Sequence, residues 1–133
     1  MSNDKRKIKF VLRDPAKEHR IKWPVRWMIP DEDGGDVEVG FTAHFKLLPD
    51  EEVDKLFGGG MFGRFTDAVK NKAGLREVLV NWSGVELATE KDAEPAEVPF
   101  SEAHRDMMLA WQDCSNALIR AYASALAGKS EKN

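Results

Sequence analysis

Two alternating runs near the N-terminus constrain this chain more than any other feature. Ile21, Trp23, Val25, Trp27 and Ile29 occupy every second position, with Arg20, Lys22, Pro24, Arg26 and Met28 between them. Val37, Val39, Phe41, Ala43, Phe45 and Leu47 repeat the pattern, interleaved with Asp36, Glu38, Gly40, Thr42, His44 and Lys46. Period two is the signature of a half-buried strand, because successive side chains point to opposite faces. The intervening Pro30-Asp31-Glu32-Asp33-Gly34-Gly35 has turn composition, with two glycines available for positive φ. The pattern predicts a long antiparallel hairpin with strands over about 20–29 and 36–48. Pro24 has no N–H, which assigns its strand to a sheet edge or a local bulge. A shorter alternation, Ile8, Phe10 and Leu12, predicts a further strand over about 7–12.

Helical periodicity takes over after the hairpin. Asp50 is a good N-cap, Glu51 and Glu52 follow it, and Val53, Leu56 and Phe57 fit i, i+3, i+4 over about 50–57. Gly58-Gly59-Gly60 breaks that helix. Thr66 then caps a helix over about 66–82, with Ala68, Val69, Leu75, Val78, Leu79 and Trp82 on one broad stripe. Gly74 should weaken it by roughly 1 kcal/mol relative to alanine, and Gly84 ends it. Residues 85–99 are acidic and hold two prolines, a loop or loose hairpin. Ser101 caps a helix over about 101–112 carrying His104, Met107, Met108 and Trp111 at helical spacing. Cys114, Ala117, Leu118, Ala121, Tyr122 and Ala125 define a last helix over about 114–127, stopped by Gly128 and followed by a solvated tail, 129–133. The expected fold is therefore α+β. It is a single domain over 1–133, with an N-terminal antiparallel hairpin or three-stranded sheet packed by about four helices.

Charge is unevenly distributed. Residues 1–30 hold nine Lys/Arg against three Asp/Glu, whereas residues 31–60 hold two against nine. The hairpin should bring Arg20, Lys22 and Arg26 near Asp36 and Glu38, so that the two blocks neutralise each other across the strands. With an overall net charge of −3, the whole molecule is not a bulk electrostatic binder of nucleic acid. Met1 to Lys9 lacks the apolar core of a signal peptide, and no run approaches the ~18 apolar residues of a membrane span. The one cysteine cannot form an internal disulfide, and these features together predict a cytoplasmic protein with no membrane role.

Catalytic or metal-binding signatures are sparse. His19, His44 and His104 fall in three different elements, with no ligand spacing among them. Cys114 lies on a helical stripe and reads as a small buried hydrophobe. Gly58 to Gly63 follows a helix rather than a strand and lacks the Lys-Ser/Thr ending of a phosphate loop. These residues predict neither an enzyme nor a cofactor. Trp23 and Trp27 beside Lys22 and Arg26 have the composition of a single-strand nucleic-acid platform, but alternation puts the rings and the charges on opposite faces.

Three further stretches, taken in order, resemble the phage tail assembly chaperones of long-tailed bacterial viruses and prophages. They are Phe41 to Lys46 leading into Asp50 to Leu56; Trp82-Ser83-Gly84-Val85; and Val98-Pro99-Phe100-Ser101-Glu102 followed by Ala117 to Tyr122. In that family a helix closing on a Trp-x-Gly-Val turn, a polar loop, a Val-Pro-Phe-Ser helix start and a terminal Ala-Tyr helix recur in this order. The resemblance implies a non-catalytic protein of the bacterial host cytoplasm, absent from the finished virion. It would bind the tape measure protein, assist recruitment of the tail tube protein, and work in several copies. A surface for such a partner should draw on adaptable apolar side chains, and Met61, Phe62, Met107, Met108 and Trp111 are the candidates; a core role for the same residues is the alternative. The other functional reading is a small nucleic-acid-binding regulator that uses the basic N-terminal segment.

Overall fold

The computed structural model describes residues 10–59, 63–87 and 96–128. The two alternating runs form β1 (His19–Pro30) and β2 (Asp36–Leu47), paired antiparallel in continuous register from His19 opposite Leu47 to Pro30 opposite Asp36. Asp31 organises the turn: its Oδ1 accepts from the backbone N–H groups of Asp33 and Gly35, at 2.9 and 2.8 Å, and Gly34 takes φ of 88°. Then follow α1 (Asp50–Phe57), α2 (Ala68–Val78), β3 (Leu79–Ser83), β4 (Glu86–Leu87), β5 (Ala96–Glu97), α3 (Glu102–Leu109) and α4 (Gln112–Ala127). The main sheet has the order β1-β2-β3, and β4 and β5 form a separate two-stranded ribbon. The fold is thus α+β, a three-stranded antiparallel sheet with four helices.

The third strand is not the expected one. Phe10, Val11 and Leu12 make no strand, and their side chains are 83%, 78% and 82% exposed; the expected residues 7–9 lie outside the described residues. Leu79–Ser83 takes the place instead. The helix expected to run to Trp82 stops at Val78, and the chain turns directly into β3. β3 pairs with Thr42–Phe45, with a bulge between His44 and Phe45 that lets both Leu79 and Trp82 turn inward. Trp82 therefore closes a strand rather than a helix.

Helix boundaries also differ in ways that capping explains. Asp67, not Thr66, caps α2, its Oδ1 accepting from Val69 and Lys70 N–H at 3.0 and 3.1 Å. Pro49 stands at the N-cap of α1 without a side-chain bond, which makes Asp50 the first helical residue. Ser101 caps α3 as expected, Oγ accepting from His104 N–H at 3.0 Å. The break before the last helix falls at Ala110 and Trp111, two residues earlier than the periodicity suggests.

The outer face of the hairpin corrects the charge argument. Arg20 lies opposite Lys46 and Lys22 opposite His44, whereas Asp36 faces Pro30 and Glu38 faces Met28. Arg20 and Lys22 sit at the far end of the face from the acids, whereas Arg26, opposite Gly40, has Glu38 as a diagonal neighbour. Arg20 pairs with Glu18, two residues away, and Lys46 with Glu77 of α2 at 2.9 Å.

The core lies between the inner face of the sheet and the helices. Val25, Ala43, Phe45, Leu75, Val78, Leu79, Leu118 and Tyr122 are buried there. Tyr122 is its centre, with ring centroids 5.0 Å from Phe45 and 5.5 Å from Phe57. The expected α2 stripe holds only from Leu75 onward, since Val69 is exposed.

Candidate functional site: an apolar groove

The inner face of the hairpin is covered unevenly. Towards the tip, Trp27 and Phe41 remain half-buried, and β3 pairs with β2 only as far as Thr42 before Gly84 turns the chain away at φ of 84°. The turn opens a groove between the hairpin tip, the start of the β4–β5 ribbon, and the junction of α3 with α4. Two adjoining depressions, about 230 and 550 Å³, form it and share Val85, Glu86, Met108, Trp111 and Cys114.

Its floor is a row of aromatic rings in edge-to-face contact. Trp27 meets Phe41 at 6.2 Å, Phe41 meets Trp82 at 6.1 Å, and Trp82 meets Phe100 at 5.1 Å. Such pairs contribute about 0.5–1.5 kcal/mol each beyond area burial, so the floor is rigid. Both indoles are anchored: Trp82 Nε1 donates to the Val98 carbonyl at 2.8 Å, and Trp27 Nε1 to Asp113 Oδ2 at 2.8 Å. The walls are softer. Met107 is 54% and Trp111 68% exposed, while Met108 is half-buried against the core. Trp111 stands at the break between α3 and α4, and its carbonyl accepts from Ser115 N–H at 3.0 Å.

Three of the five residues chosen from sequence, Met107, Met108 and Trp111, thus come together on one groove. Met61 and Phe62 lie outside the described residues. The described flanks of their segment do not reach the groove: Arg64 pairs with Asp54 at 2.6 Å, and Phe65 packs on Phe57 and Tyr122. Trp27, Phe41, Val85, Asp113 and Cys114 are groove residues that sequence reasoning assigned elsewhere or passed over.

Electrostatics make the groove an acid-rimmed apolar site. Glu86 and Asp113 line it, and Glu97 pairs with Glu86 across the β4–β5 ribbon. Burial, reinforced by the neighbouring Asp113 carboxylate, pushes the Cys114 thiol up to about 11. A thiol held neutral in that way is a poor nucleophile at ordinary pH. His104, at the groove's edge, is tied through Nδ1 to the Pro99 carbonyl at 2.9 Å. No group of three His, Cys, Asp or Glu side chains capable of holding a metal occurs among the described residues.

Trp23 and Trp27 lie on the inner face, with Trp27 over the groove, while Lys22 and Arg26 are exposed on the outer face. Rings and charges do not form a joint stacking platform. Among the described residues no helix is long and apolar enough to cross a membrane. Compared with models of known families, with curated proteins and with solved structures, the chain gives no match.

Proposed function

We propose that this chain is a non-catalytic phage tail assembly chaperone that binds the tape measure protein and assists assembly of the tail tube. The observation that carries the reading is the open groove of Met107, Met108 and Trp111 over an aromatic floor. Rigid rings below and flexible thioethers above suit the apolar face of a helix whose side chains vary along its length. A helix advances 1.5 Å per residue, so one domain of 15.0 kDa covers a few tens of residues at most, and several copies are needed on a long client. The work is done in the bacterial host cytoplasm, before the virion is complete. Co-expression tests it: the tape measure protein stays soluble with the native chain and precipitates with Trp111→Lys or Met107→Lys. A client that stays insoluble at every dose of the native chain removes the assignment.

One observation favours a second reading, a nucleic-acid-binding regulator. Arg20, Lys22 and Lys46 gather at one end of the outer sheet face. Tight binding to DNA or RNA that falls steeply between about 50 and 200 mM salt would select it over the chaperone.

A further inference from the structure

The described chain begins with an exposed apolar triad for which the fold supplies no cover. Phe10, Val11 and Leu12 are each about four-fifths exposed, and Arg13 follows them. The segment forms neither helix nor strand. Three adjacent large apolar side chains left in water are unusual in a stable monomer and mark an interaction site.

A complementary surface exists at the far end of the same molecule. β2 has β1 on one side along its whole length, but β3 on the other side only from Thr42 onward. Among the described residues, Asp36 to Phe41 therefore have an edge with no neighbouring strand. That edge borders the groove, because Val39, Phe41, Gly84 and Val85 all line it. An extended segment laid along the edge would alternate its side chains between the groove and the outer face. Phe10 and Leu12 would then enter the groove over Phe41 and Trp111. Val11 and Arg13 would stand on the outer face, where β2 carries Asp36 and Glu38. Charge agrees with shape, since Glu86 and Asp113 rim the groove and the segment belongs to the strongly basic first thirty residues.

The segment of the same molecule is badly placed to do this. Arg13 lies beside His19 and Leu47, at the opposite end of the sheet from the groove. Trp27 is eight residues further along β1, roughly 26 Å away at strand rise.

We infer that the Phe10–Arg13 segment of a second copy docks along the free edge of β2, with Phe10 and Leu12 in the groove of Trp27, Phe41 and Trp111. Self-association covers the groove until a client displaces the segment. The inference concerns the chain alone and holds whatever the client is, so its test needs no tape measure protein.

The test is sedimentation of the full chain from micromolar to millimolar concentration, with two exposed-site variants. Native chain self-associates. Phe10→Asp/Leu12→Asp, which spoils the segment, and Trp111→Arg, which spoils the groove, each weaken association at least about tenfold, as expected for losing buried apolar contacts. Mixing the two variants restores association, because one supplies an intact groove and the other an intact segment. Met107→Lys repeats the groove test should Trp111→Arg lose its native circular dichroism. A native chain that is monomeric throughout, variants that associate like the native chain, or a mixture that stays monomeric would each overturn the inference.

Discussion

A methyl group placed on Gly74 would stand 2.4 Å from Cε1 of Phe57, inside the ring's van der Waals surface. Gly74 lies where α2 meets α1, and its missing side chain leaves room for the Phe57 ring, which packs tilted against Phe65 and Tyr122. Helix propensity alone predicts that Gly74→Ala stabilises the protein by roughly 1 kcal/mol. The contact reverses the sign. Overpacking costs typically about 1–3 kcal/mol, so Gly74→Ala should lower stability in urea denaturation, and a rise in midpoint would mean Phe57 moves freely.

Tyr122 joins the last helix to the sheet through one polar bond, its hydroxyl donating to the Lys46 carbonyl at 2.8 Å. Burial also pushes the phenol well above its ordinary range, so it donates at every accessible pH. Tyr122→Phe retains the ring contacts and removes only this bond. The expected loss is about 1 kcal/mol by chemical denaturation, and a change below a few tenths would show that the carbonyl finds water instead.

Cys114 offers a probe of the groove. With its thiol at about 11 against an ordinary 9.0, it should react with a disulfide reagent at pH 8 about tenfold more slowly than the unfolded chain, the smaller thiolate fraction outweighing that thiolate's greater nucleophilicity. Asp113→Asn removes the neighbouring negative charge and should speed the reaction. Equal rates in folded and unfolded protein would contradict the burial of this wall.

His44 should make stability depend on pH. Burial, then the charges of Lys22 and Arg20, hold its imidazole below the ordinary 6.5 in the folded state. As pH falls through 6.5 the unfolded chain takes up the proton first, so stability is full above that value and declines between it and the lower folded pKa. Unfolding free energies at about pH 7.5 and 5.5 should differ in the native protein and differ less in His44→Gln. A native protein equally stable at both would remove His44 from this role.

The hairpin was legible because period-two alternation is local and the strands follow it closely from Ile21 to Ile29 and from Val39 to Phe45. The third strand was not. Leu75, Val78, Leu79 and Trp82 fit a helical stripe as well as a helix followed by a bulged strand, and only pairing with β2 decides between them. Phe10 and Leu12 alternate correctly but find no partner strand among the described residues. Opposed charges misled for the same reason: register, which the hydrophobic pattern and turn fix, put Arg20 against Lys46. Of the groove, Met107 and Trp111 could be picked out as large apolar residues on a polar helix. Trp27 and Phe41 could not be told from core positions, because what leaves them uncovered is the exit of the chain at Gly84, a tertiary event.

Pro24 has a consequence for what the sheet can become. The Val25 carbonyl points towards β2, only 2.5 Å from where a Cβ on Gly40 would stand. Neighbouring residues of an antiparallel strand point their backbone groups to alternate sides, so Pro24 is turned to the open edge of β1, as is Pro30. Neither has a proton to offer there. Any chain laid along β1 meets gaps in the donor row at its middle and at its end, the usual defence of an edge against templating cross-β fibrils. That defence confines any growth of the sheet to its other side, where β2 is left uncovered beyond Thr42.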